Sequence, residues 1–237
     1  NFMPDQHRLF FTSQGALPTL LAGTVDEQGR PWASVLIGKD FVKTPTNQTL
    51  EFKTHAINGD PLQKNLKDGA YIGLLGIEFA TRRRNRMNGR ISLSKGGFSI
   101  KVDQSFGNCP KYIQARKWTW NEPRFTAFQN GTSSAPIKSS NLNDHLQQVI
   151  KEADTLFVAT AFLDTQDAVG VRPTAYGCDV SHRGGRPGFV QVLDDKTIKW
   201  PDYLGNFLFN TLGNIQKYPR TGLLFIDFVS GDFFQLT

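Results

Sequence analysis

The chain has 237 residues, 39% hydrophobic and 20% charged, enough to bury one large core or two small ones. Its net charge of +6 and pI near 9.4 favour anionic partners in a general way. Two cysteines and four scattered histidines exclude a disulfide framework, a cysteine metal cage and paired histidine ligands, so no metal site is expected.

In chain order, the first residues lack the basic-then-apolar layout of a secretory leader, and position 1 is not methionine, which implies a trimmed start. No stretch approaches the roughly 18 apolar residues of a membrane helix. A cytoplasmic protein with no membrane partner is expected. Two runs, 20–25 and 31–37, flank Asp26-Glu-Gln-Gly-Arg30 and predict a β-hairpin. A strand over 49–53 follows, then a short helix opened by Asp60-Pro61 and ended at Gly69. Strands over 70–77, 89–93 and 97–102 complete a small antiparallel plan, unlike the regular strand–helix alternation of a doubly wound sheet. The polar stretch 130–143 reads as a linker, and 142–153 as a helix with Leu146, Val149 and Ile150 on one face.

The plan then starts again, with a strand over 155–161, a hairpin of 188–193 and 197–200, a short helix within 204–218 and a strand over 221–228. Gly73-Leu-Leu-Gly-Ile-Glu-Phe-Ala-Thr81 lines up with Gly222-Leu-Leu-Phe-Ile-Asp-Phe-Val-Ser230, and each copy follows a helix, which predicts an internal repeat. The expected organisation is a first module over 1–129, a linker and helix over 130–153, and a second, incomplete module over 154–237 whose last strands the sequence lacks.

Much of the positive charge sits in Arg82-Arg83-Arg84-Asn85-Arg86 and His182-Arg183-Gly-Gly-Arg186. Three readings compete: a solvated basic face, a nucleic-acid footprint, or a site for a phosphorylated cofactor. In Asp179-Val-Ser-His-Arg-Gly-Gly-Arg-Pro-Gly-Phe-Val190, arginine forks and the amides of a Gly-Gly turn could cradle an anion just before a strand. The string is neither a G-x-G-x-x-G nor a Walker loop. Asn206, Asn210, Thr211 and Asn214 place amides and hydroxyls near a helix start, where free N–H groups favour phosphate. Cys109 has no histidine near it in sequence, and no G-x-S-x-G elbow is present, so neither covalent catalysis nor a hydrolase triad is expected.

These strings resemble the FMN-binding split-barrel superfamily typified by pyridoxamine 5′-phosphate oxidase. The likeness is carried by 77–89, Gln104-Ser-Phe-Gly-Asn-Cys-Pro-Lys-Tyr-Ile113, 180–189, 201–206, 209–214 and 222–228. It implies a mainly β fold with short helices (α+β), built as tandem split β-barrels with the second copy C-terminally truncated. FMN would lie between the barrels, a place that single-barrel relatives form across a homodimer. It would be bound by His182, Arg183, Arg186, Pro187, Gly188, Phe189, Val190, Trp200, Pro201, Asp202, Tyr203, Asn206, Asn210 and Thr211 from the second module. Arg86, Asn88, Gln104, Ser105, Asn108, Lys111 and Tyr112 would face them from the first. The expected function is an FMN-dependent oxidoreductase acting on a small molecule or redox partner, with His182 and Tyr203 as candidate catalytic groups. The alternative is a flavin or haem carrier without turnover. The arginine and histidine motif that binds pyridoxal phosphate in the oxidase is not recognisable, which argues against vitamin B6 chemistry. Nucleic acid is not the expected partner; a homodimer is compatible with the resemblance.

Overall fold

The structure, a computed structural model, describes residues 2–12, 17–163, 175–205 and 208–237. A short helix α1 (Asp5–Phe11) leads to β1 (Thr19–Val25) and β2 (Pro31–Ile37), joined by the expected tight loop. Asp26 Oδ1 accepts the backbone N–H groups of Gln28 and Arg30 at 2.9 Å, while Gly29 takes the left-handed φ of +75° that a side chain disfavours. Then come β3 (Val42–Thr46), β4 (Thr49–Phe52), the single-turn helix α2 (Leu62–Asn65), β5 (Tyr71–Glu78), β6 (Arg83–Ser94) and β7 (Gly97–Asn108). These strands make one antiparallel sheet in the order β2-β1-β5-β6-β7-β4-β3.

Helices α3 (Glu122–Gln129) and α4 (Asp144–Glu152) follow, each capped by an asparagine, Asn121 and Asn143, whose side chain accepts a first-turn N–H. The second sheet, β13-β12-β8-β9, is built from β8 (Thr155–Phe162), β9 (Gly177–Gly184), β12 (Gly222–Ile226) and β13 (Phe233–Leu236). Between β9 and β12 lie a two-residue ladder of β10 (Gln191–Val192) with β11 (Ile198–Lys199), and helix α5 (Asn210–Lys217). The chain is thus mainly β with short helices, and neither sheet closes on itself among the described residues. No helix among them is long and apolar enough to cross a membrane.

The period of two along each strand sorts side chains into three cores. Leu20, Leu36, Phe52 and Phe98 fill the outer core of the larger sheet. Leu21, Leu75 and Ile77 meet Phe157, Val180 and Leu224 between the sheets. Leu156, Val158 and Phe225 pack under α4 with Ile150, Phe189 and Val190.

Several elements differ from expectation, α1 and β13 among them. β3 and α3 were not foreseen, and α2 is one turn long, because Leu66 already has extended backbone (ψ 93°). The basic run is not a loop: β6 begins at Arg83 and pairs with β5 without interruption from Glu78↔Arg83 to Tyr71↔Arg90. Alternation makes this tolerable, since Arg83 goes to solvent and Arg86 to the interior. The string starting at Asp179 is strand as far as Gly184, within β9 and paired with β8, and its turn comes only after that, at 186–189.

The two sheets share a plan. The order β2-β1-β5-β6 recurs as β9-β8-β12-β13. Gly73 faces Gly23 as Gly222 faces Ala159, and Leu75 faces Leu21 as Leu224 faces Phe157. Asn65 Nδ2 donates to Thr24 Oγ1 at 3.0 Å, and Asn214 Nδ2 donates to Thr160 Oγ1 at 3.0 Å, tying each preceding helix to its sheet at the same point. Across the interface the packing is reciprocal, β5 on β9 and β12 on β2. A Cβ on Gly73 would stand 2.7 Å from Asp179 Cα, and one on Gly222 2.7 Å from Trp32 Cα, at positions that correspond through the two registers.

Those two glycines therefore set the separation of the sheets. Gly73→Ala and Gly222→Ala should each lower the unfolding free energy by about 1–3 kcal/mol, because backbone on the opposite sheet must move. Gly213→Ala has open space around it on α5 and should be neutral or stabilising by up to about 1 kcal/mol. Urea unfolding of the three variants checks the contrast.

Candidate functional site

The reciprocal packing brings β6 of the larger sheet against β9 of the smaller, and the side chains exchanged there are polar. Arg86 Nη1 donates to Asp179 Oδ2 at 2.9 Å, an ion pair in which both side chains are more than nine-tenths buried. One pleat along, Arg84 Nη1 lies 3.3 Å from His182 Nδ1. A guanidinium can only donate, so Nδ1 accepts and the proton of the neutral ring sits on Nε2. Arg183, next on β9, is half-buried, and Arg116 is pinned by Asp154, to which Nη2 donates at 2.6 and 2.9 Å, with its guanidinium 3.8 Å from the Phe228 ring centre.

Four guanidiniums thus surround one imidazole. Burial, followed by the fields of Arg84, Arg183, Arg116 and Arg86, holds His182 well below its usual pKa. Burial and the neighbouring Arg86 pull Arg84 down to about 10, still charged at neutral pH. Burial lowers Arg183 too, partly offset by Asp202, while Asp179 is pushed up by burial against the pull of Arg86. Among the described residues no carboxylate lies within ion-pair distance of Arg84 or Arg183. Buried polar atoms without a partner concentrate here: four N–H donors (Nε of Arg84 and of Arg86, Nη1 of Arg116, Nε2 of His182) against three acceptors (Oδ1 of Asp179, Asn88 and Asn108). An excess of buried donors and positive charge fits an anion.

Beside this cluster is an open cleft of about 430 Å³ lined by Phe2, Asp103, Gln104, Ser105, Phe106, Leu208 and Asn210. Phe106 joins the two, since the Arg86 guanidinium lies 5.8 Å from its ring centre. Ser105 Oγ is 2.7 Å from His7 Nδ1. At the head of α5, Thr211 Oγ1 donates to Ser181 Oγ at 3.0 Å, both buried, which fixes that helix start on β9.

Of the residues singled out from sequence, Arg86, His182 and Arg183 form the cationic cluster, and Asn88 Nδ2 donates to Gln104 Oε1 at 3.4 Å. Asn108 is the register partner of Arg84 at the end of β7. Gln104, Ser105 and Asn210 line the cleft and Thr211 anchors it. Tyr112, held at φ +66°, stacks on Tyr203 at 5.1 Å and donates its hydroxyl to the Leu204 carbonyl at 2.9 Å. Its own backbone carbonyl abuts Gly184, where a Cβ would not fit.

Other expected residues go elsewhere. Phe189 and Val190 are buried in the core under α4, with Trp200 packed against it. The turn before them is tied to α4 by the Gly188 N–H donating to Lys151 O, and Arg186, Pro187, Gly188, Pro201, Asp202 and Lys111 are exposed. Asn206 lies outside the described residues. The sequence reading passed over Arg116, a single basic residue in an irregular stretch without a signal of its own. Arg84 and Asp179 also lack a local signal of their own beyond the i, i+2 spacing of Arg84 with Arg86 and of Asp179 with Ser181, which sets each pair on one strand face.

No family model matches the chain, and no curated protein matches it. Two crystal structures of HupZ from Group A Streptococcus, one a single-site variant, are similar to part of it. Both are 13% identical, with TM-scores of 0.35 and 0.33, over 44% and 40% of this chain and 93% and 94% of the HupZ chain. At those TM-scores the likeness carries no argument about the site.

The imidazole gives a pH signature. The folded pKa of His182 is depressed, so below the unfolded value near 6.5 the unfolded chain takes a proton that the folded chain refuses, and stability falls as pH falls. Asp60 and Asp179, whose folded pKa values are raised, act in the opposite sense, so the difference between two proteins isolates the histidine. Between pH 7.5 and 5.5, His182→Gln should lose about 1 kcal/mol less stability than the parent chain. Parallel urea curves at the two pH values measure this; equal losses would remove the buried neutral imidazole from the account.

Proposed function

We propose that the chain is an FMN-binding protein of tandem split-barrel organisation, its modules over 1–129 and 154–237 joined by 130–153, and that it serves as an FMN-dependent oxidoreductase. One observation carries the ligand class: buried Arg86 and a buried neutral imidazole, ringed by the half-buried guanidiniums of Arg84, Arg183 and Arg116, with N–H donors that no protein acceptor satisfies. A phosphate dianion matches that set in charge and in acceptor number. The resemblance of Gln104–Ile113 and of 180–189 to the FMN-binding split barrels narrows phosphate to FMN. The shared strand order of the two sheets supports the tandem reading.

In this reading Arg84, Arg86 and Arg183 hold the phosphate, with His182 Nε2–H as a neutral donor beside them. Gln104, Ser105 and Asn210 supply polar contacts in the adjoining cleft, and the stacked pair Tyr112–Tyr203 forms an aromatic wall. FMN supplies hydride or single-electron transfer when bound; the chain supplies orientation and field. His182 is a poor general acid, because it is neutral, buried and engaged at Nδ1, and its part is positional. Tyr203 is half-exposed beside the site and is the better-placed candidate for contact with a substrate.

Fluorescence titration with FMN and with riboflavin, which lacks the phosphate, tests this reading. The double variant Arg84→Ala with Arg183→Ala should weaken FMN about 100-fold or more and leave riboflavin unchanged, since each charge-assisted hydrogen bond contributes about 1.5–3 kcal/mol. Binding riboflavin as tightly as FMN, or taking up neither, would refute it. Bleaching of the bound flavin by NADPH separates an oxidoreductase from a carrier.

A further inference from the structure

A two-fold plan of strands generates two inter-sheet positions, and the second can be located residue by residue. Through the β5–β6 and β12–β13 registers, Arg84 and Arg86 correspond to Phe233 and Gln235. Through β8–β9 and β1–β2, Ser181, His182 and Arg183 correspond to Ser34, Val35 and Leu36. The three strand-borne cations of the first position, Arg84, Arg86 and Arg183, are thus replaced by neutral side chains in the second. Val35 and Phe233 join the apolar core between the sheets, and Leu36 is fully buried in the outer core. Gln235 Nε2 donates to Ala33 O, Ser34 Oγ and Asp60 Oδ2 at 2.8, 3.2 and 3.0 Å. Ser34 donates to Asp60 Oδ1 at 2.6 Å, and the Leu62 N–H donates to the same oxygen at 2.7 Å. None of these side-chain atoms is among the buried groups without a partner, which gather at the first position.

We infer that the position formed by Ser34, Val35, Asp60, Phe233 and Gln235 is the counterpart of the anion site converted into a packed structural clasp, leaving one ligand phosphate per chain. The ligand named rests on the reading proposed above; the conversion rests on the register alone. The clasp would also repel the ligand, since its one ionisable group is the buried carboxyl of Asp60.

Exchanging residues between the two positions tests the conversion. Arg84→Phe with His182→Val gives the anion site two of the clasp's residues, takes one of the four clustered guanidiniums away and should raise the melting temperature by a few degrees. Phe233→Arg with Val35→His does the reverse and should lower it by a similar or larger amount. A first pair that melts lower than the parent chain, or a second pair that melts no lower, overturns the inference. Equilibrium dialysis of the parent chain against FMN should saturate at one per chain, with binding weakened about 10-fold or more in the first pair. Two per chain also overturns it. No uptake by the parent chain removes FMN as the ligand and leaves the melting temperatures to decide the conversion.

Discussion

Everything at the inter-sheet site depends on how closely the two sheets approach. Gly73 stands against the backbone at Cys178 and Asp179, and Gly222 against the backbone at Pro31 and Trp32, with no room for a Cβ at either. That approach carries the ends of β6 onto β9, so that Arg86 reaches Asp179 and Arg84 reaches His182 across a boundary otherwise filled by Leu21, Leu75, Phe157 and Leu224. A separation greater by the thickness of a methyl group would let water between the guanidiniums and dissolve their mutual influence.

The close approach also makes the cluster expensive. Four guanidiniums near one another, with Asp179 and Asp154 as the carboxylates bonded to them, carry excess positive charge in a region where the dielectric does little to screen it. The neutral state of His182 relieves part of that repulsion, and the Arg116–Asp154 bridge and the aromatic face of Phe228 relieve another part. What remains is offset by the apolar cores on either side. A stable protein that keeps unbalanced charge in its interior, when apolar side chains of similar size would pack there, has a use for the charge.

Much of the scaffold was legible in the sequence and much of the site was not, for a common reason. The β1–β2 hairpin, α4, β8 and β12 announce themselves through local signals: turn glycines, capping asparagines and apolar runs. The repeat of Gly73–Thr81 in Gly222–Ser230 also proved to lie at matching registers. The basic run Arg82–Arg86 and residues 179–184 do not read as strand, because charge and glycine dominate their local composition and leave an exposed face and a ligand site as competing readings. Only tertiary pairing with β5 and β8 makes strands of them. Arg116 contributes through long-range geometry alone, so no local pattern could have named it. Phe189 and Val190 were misplaced for the opposite reason: apolar residues beside a basic turn invite a ligand reading, but burial under α4 satisfies them.

The shared strand plan makes the asymmetry of the two positions intelligible. In a symmetric pair of identical chains, a residue that serves one interface position serves its mate as well, so Arg84 cannot become phenylalanine at one without being lost from both. When both halves belong to one chain that coupling disappears. Arg84 and Phe233 then answer to different demands, one to charge and one to packing, although they hold the same place in their hairpins. Polar continuity survives where it can serve either purpose. Ser181 and Ser34 both bond the segment that opens the following helix, to Thr211 in one case and to Asp60 in the other. The serine therefore belongs to the architecture, whereas the arginines and the histidine, present on one side only, belong to the proposed anion site.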